Sequence, residues 1–129
     1  LPHQDEGYVR RELEQILGGI VNLDVTIDYM AEPNESPFKT EFAHKIQEST
    51  AQVLGRRDIQ FVPAISNAFT DSRFTRSLGV ITYGFSGDHP DDDPLKNRIH
   101  SNDESIGINS LISSTKIMIA LACNVLMAK

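Results

Sequence analysis

A chain of 129 residues, 40% hydrophobic and 23% charged, is long enough for one domain with a core, and its composition excludes disorder and a coiled coil. A net charge of −6 and the lack of tryptophan exclude a phosphate-backbone binder, since nucleic-acid affinity rests on clustered Lys and Arg. The single cysteine, Cys123, can make neither an internal disulfide nor a zinc knuckle; it is expected to be a small buried side chain, and the sequence permits a reducing compartment, the cytoplasm being favoured.

The opening "LPHQDEGYVRRE" turns polar within a few residues, so no secretory signal is expected there. It has no initiating Met, which points to a processed chain, a trimmed product or a fragment. Residues 6–17 place Val9, Leu13, Ile16 and Leu17 on one helical face, and Gly18-Gly19 is expected to end that helix in the left-handed conformation. "IVNLDVTIDY" then alternates apolar and polar residues, the period of a strand with one wet face.

"AEPNESP" at 31–37 reads as a linker, after which Ser36-Pro37 is expected to open a helix that carries Phe38, Phe42, Ile46 and Val53 and stops at Gly55. Residues 59–62, "IQFV", read as a short strand before Pro63. "DSRFTRSLG" reads as a short helix opened by Thr70 or Asp71 and closed by Gly79, and "VITYGF" as a strand buried on both faces. After the acidic loop "SGDHPDDDPLKNR", the pattern predicts a final helix from about Ile108 to Ala128. It is apolar around most of its second half and interrupted by Lys116 and Asn124, so no membrane span is expected.

Strands alternating with helices predict an α/β fold with parallel strand pairs. The wet first strand against the dry last one predicts two parts, 1–33 and 34–129. Ligands gather beyond the carboxyl ends of such strands, so Ser66, Asn67, Thr70, Asp71 and His100 are expected to line one crevice. His100 reads either as a metal ligand, its ring oriented by a neighbouring carboxylate, or as an exposed loop histidine. Arg73 reads either as a grip for a substrate carboxylate or as a partner of Asp71. Asp88, His89 and Asp91 to Asp93 read as a solvated loop, and His44 lies on a wet helix face. No nucleophile elbow or phosphate loop is present.

"TDSRFTRSLGVITYGFSG" followed by "HSNDESIGINSLISSTKIMIALACNVL" resembles the C-terminal end of the two-zinc peptidase family, which includes aminoacylase and carboxypeptidase S, and most closely its carboxypeptidase-S-like branch. "LPHQDEGYVRRELEQILGG" and the alternating segment after it are similar to the family's lid-domain helix and strand. The resemblance implies that residues 1–33 are a remnant of a lid and dimerisation domain, and 34–129 the end of a zinc-dependent catalytic domain. It implies His100 as a metal ligand, with Asp103 and Glu104, like Asp71, bracing the surrounding loops. Ser66, Asn67 and Thr70 take the place of the substrate loop, with Arg73 beside it. Asn67-Ala68-Phe69 departs from the family's Gly-rich form there.

The family's first histidine, bridging aspartate and Glu-Glu pair are absent from these residues. Two zinc ions are thus implied for a parent protein, with no tight zinc site and no hydrolysis in this chain alone. The implied substrate is a small-molecule or peptide carboxylate. The alternative is a free-standing, non-enzymatic oligomerisation or binding module. Under either reading a homo-oligomer or swapped dimer is expected, through the open edge of the 21–29 strand.

Overall fold

The computed structural model describes residues 4–20, 24–28, 33–65 and 70–127. Its elements run α1 (Glu6–Leu17), α2 (Glu41–Leu54), α3 (Ser72–Ser77), a 3-10 turn (Pro94–Lys96) and α4 (Ile108–Leu126). They divide between two units: Leu1–Pro37 with Ala64–Tyr83, and Phe38–Pro63 with Gly84–Lys129.

In the first unit, Asp5 caps α1 by accepting from the Tyr8 amide at 2.7 Å, and Glu6 pairs with Arg10 one turn on at 2.7 Å. Leu13 and Leu17 share an open hollow of about 300 Å³ with Val25 and Ile27. Two residues of the face read from helical spacing thus meet two of the alternating set, whereas Ile16 is 73% exposed. The contact is shallow, because no residue of α1 is buried. Gly18 keeps a right-handed conformation, φ −62°, so α1 does not end in the left-handed turn expected of it.

Between α3 and residue 83 the backbone is held by side chains. Arg76 donates to the Thr82 carbonyl from Nε at 3.0 Å and from Nη2 at 2.8 Å. The Thr82 amide donates to Ser36 Oγ at 3.0 Å, and Tyr83 Oη donates to the Pro37 carbonyl at 2.6 Å. Ser36 is therefore a latch for this segment and does not cap α2.

The second unit is built on α2 against α4. Thr40 caps α2 through the Ala43 amide at 3.0 Å, and Gly55 ends it at φ +63°, the left-handed residue expected at that position. Ala43, Ile46, Ser49 and Thr50 of α2 are buried, as are Ser110, Ser113, Ile117 and Leu121 of α4. Half of these positions carry hydroxyls, and each finds a partner. Ser113 Oγ donates to the Gly87 carbonyl at 2.7 Å, Asn124 Nδ2 to Ser49 Oγ at 2.9 Å, and Thr50 Oγ1 to the Ile46 carbonyl at 2.7 Å. Lys45 Nζ adds a bond to the Asn124 carbonyl at 3.0 Å. Gly87, at φ +70°, passes so close to α4 that a Cβ there would lie 3.0 Å from Ser114 Cα.

The α/β fold with parallel strand pairs is overturned: among the described residues the secondary structure is wholly helical, with no strand or sheet. Residues 59–62 and 80–85 carry strand-like composition but find no ladder. The polar groups of Thr82 are taken by Ser36 and Arg76, and the Val80 amide donates back to the Thr75 carbonyl at 3.1 Å. Phe61 and Phe85 do come together, ring centroids 6.2 Å apart, through side chains alone. Val80 and Ile81, expected to be buried on both faces, are exposed. Of the alternating stretch, 24–28 form no strand, and 21–23 and 29 lie outside the described residues. Cys123, expected to be buried, is exposed.

Candidate functional site

The loop that carries His100 is closed on itself. The Ser105 amide donates to the Asn97 carbonyl at 3.0 Å, and the Ser101 amide to the Arg98 carbonyl at 3.0 Å. Three of its residues, Arg98, His100 and Asp103, hold positive φ of 49°, 63° and 61°. For side chains with a Cβ that conformation is strained, and such strain gathers where a loop must present a group in a set direction. Glu104 Oε2 accepts from the His100 amide at 3.3 Å, and Arg98 faces Asp103 at 3.9 Å across the loop. Glu104 thus braces the His100 backbone, not its ring. His100 itself is exposed, and its imidazole makes no hydrogen bond to a described residue.

The loop stands beside the start of α4, and that start is organised by Asp92. Asp92 Oδ2 accepts from the Ser110 amide at 2.6 Å and Oδ1 from Asn109 Nδ2 at 3.1 Å. These bonds, those from Ser110 foremost, hold the Asp92 carboxyl below the usual carboxylate range. His89 follows the same frame: its amide donates to Ser110 Oγ at 3.0 Å, and its Nδ1 accepts from the Asp91 amide at 3.2 Å. The acidic loop is therefore more than solvated charge, since Asp92 satisfies the Ser110 amide, which α4 cannot satisfy itself.

In the first unit, Thr70 and Asp71 open α3. The Arg73 amide donates to the Thr70 carbonyl and the Phe74 amide to the Asp71 carbonyl, while the Asp71 side chain makes no cap. The Arg73 guanidinium lies 4.5 Å from the centre of the Phe74 ring, a cation–π arrangement. Ser66 and Asn67 lie outside the described residues. The single crevice expected to gather these groups with His100 presupposed a parallel strand pair, which the described residues do not form. Sequence reading also passed over Arg76, three residues beyond Arg73, whose bonds organise the segment.

A zinc ion needs about three protein ligands in a catalytic site, and more for a dinuclear centre. Among the described residues no three His, Cys, Asp or Glu side chains are grouped to hold a metal. The described residues by themselves do not make up a zinc site. No family model, curated protein or solved structure matches the chain.

Proposed function

We propose that these residues are the closing part of a zinc-dependent metallohydrolase of the aminoacylase or carboxypeptidase type, acting on amide bonds of N-acyl amino acids or small peptides. The observation that carries the reading is the ordered succession "TDSRFTRSLGVITYGFSG" and "HSNDESIGINS". His100 then supplies one ligand to a dinuclear zinc centre of the parent, and the remaining ligands come from elsewhere. An exposed ring on a braced, strained loop, without a hydrogen bond to any described residue, supports that role. Thr70 and Arg73, with Ser66 and Asn67, are proposed to face the substrate carboxylate; Asp71, Asp103 and Glu104 hold the loops. The isolated chain is inert, needs neither nucleic acid nor membrane, and works as a homo-oligomer.

A second reading, a non-enzymatic binding or oligomerisation module, is favoured by one observation: among the described residues the buried apolar core is Ala43, Ile46, Ile117 and Leu121, while α4 leaves many large apolar side chains exposed. Calorimetric zinc titration and an N-acyl amino acid hydrolysis assay on the purified chain test the first reading. Neither a submicromolar zinc site nor turnover is expected. Metal-dependent hydrolysis by this polypeptide alone would overturn it. An upstream reading frame carrying His-x-Asp and Glu-Glu separates the two, for the module requires neither.

A further inference from the structure

α2 covers one side of α4, where Ser110, Ser113, Ile117 and Leu121 are buried. On the other, Ile108, Ile112, Thr115, Ile119, Ala122 and Leu126 recur in alternating steps of four and three, the spacing of a helix–helix seam. Leu111 and Met118 widen it. Ile119 is 61% exposed and Leu126 82%. From these observations we infer that the outer face of α4 is the seat of a second copy of this chain, packed antiparallel about a two-fold axis near Met118 and Ile119.

Area argues for a partner. Ile108, Leu111, Ile112, Met118, Ile119 and Leu126 are each 48% to 82% exposed. Together they offer apolar area on the order of the roughly 800 Å² that a standard interface takes from each partner.

Self-complementarity argues for a copy. A two-fold axis at that point sets Thr115 opposite Ala122 and Met118 opposite Ile119, so small meets small where the backbones close and large meets large beside it. Isologous contacts of this kind are the commonest in soluble oligomers. α4 carries no Asp or Glu and a single cation, Lys116, so the net negative charge of the chain is not concentrated in the seam.

By length and composition α4 is also the one described helix able to cross a membrane. Its inner face argues against that: Ser110 and Ser113 are buried against the 87–92 loop, and Asn124 is bonded to α2. A lipid-spanning helix would have to break these bonds or carry the polar loop with it.

Sedimentation equilibrium of the 129-residue chain at micromolar concentration tests the inference without any metal, independently of the hydrolase reading. A dimer is expected. Ile119→Glu should raise its dissociation constant at least about 100-fold with helical circular dichroism retained, as a charge at the seam centre demands. Ala122→Glu should do the same, and Ile16→Glu on exposed α1 should leave the dimer intact. The lone Cys123, exposed on α4, takes a spin label. Antiparallel helices place the two Cα atoms roughly 16 Å apart, from the helical rise and an interaxial distance near 9 Å. A wild-type monomer at about 100 μM overturns the inference whatever the variants do. So does a dimer indifferent to both α4 charges, or flotation of monomeric chain with phosphatidylcholine vesicles.

Discussion

Asp92 caps a helix to which it does not belong: its Oδ2 accepts from the Ser110 amide at 2.6 Å, although α4 begins at Ile108 and Asp92 lies upstream of the whole His100 loop. The bond ties the two ends of that loop together, so the posture of His100 depends on a carboxylate outside its own turn. Asp92→Ala should lower the melting temperature on the order of a few degrees, as other lost caps do, and Asp92→Asn by less. Thermal denaturation followed at 222 nm checks this; an unchanged midpoint would remove Asp92 from the account.

Gly107 is the residue that leaves Asp92 room. A Cβ at that position would overlap the Asp92 carboxyl, and since Gly107 has φ −61° the cost is collision, not backbone strain. Gly107→Ala should therefore destabilise about as much as Asp92→Ala. The double variant should lose little beyond either alone, because both changes remove one interaction. Additive losses in urea unfolding would mean that the two act separately.

The same carboxylate gives a pH dependence of known sign. Its folded pKa is depressed by Ser110 and Asn109, so its contribution is complete above the ordinary Asp value of about 3.9 and is lost as pH falls through the lower folded value. Urea midpoints measured from pH 6 down to pH 2 should fall more steeply in the wild type than in Asp92→Asn in the acid part of that range. Parallel curves would count against the cap.

Arg76, and not its neighbour Arg73, should prove the arginine that folding needs. Its fork reaches the Thr82 carbonyl twice and Ser36 Oγ at 3.3 Å. Arg76→Lys cannot reproduce that planar geometry and should behave nearly like Arg76→Ala. The expected readout is faster exchange of the Thr82 amide, whose acceptor is Ser36 Oγ. Full rescue by lysine would show that charge alone suffices.

At His100 the backbone predicts the opposite of a destabilised variant. Glycine accepts φ +63° without a Cβ penalty, so His100→Gly should leave stability unchanged or raise it by about 0.5–1 kcal/mol. A gain in a urea titration would show that the imidazole is kept against the preference of the loop. A loss of more than about 1 kcal/mol would mark it as structural.

The helices were largely legible, for local reasons. α1 could be read from periodicity; α2 ends at the glycine that the pattern named although it begins at Glu41 and not at Pro37, and α3 and α4 lie close to the segments expected to be helical. The sheet was not. "IQFV" and "VITYGF" have the composition of buried strands, but composition records only what suits a ladder, and pairing needs a neighbour with free amides and carbonyls. The polar groups of Thr82 are already engaged by Ser36 and Arg76. His100 could be named from its motif, and Glu104, four residues on, is expected to brace its loop; Asp92, whose partner Ser110 lies 18 residues further along, reads in sequence only as part of a solvated acidic run.

The seam between α2 and α4 is lined by hydroxyls as much as by hydrocarbon, and hydroxyls tolerate less displacement than methyl groups do. Sliding α4 by a single turn, about 5.4 Å, would strand Ser113 from the Gly87 carbonyl and Asn124 from Ser49 at once. The helix is indexed like a key in its wards: one longitudinal setting satisfies every tooth, and whatever docks on its outer side inherits that setting.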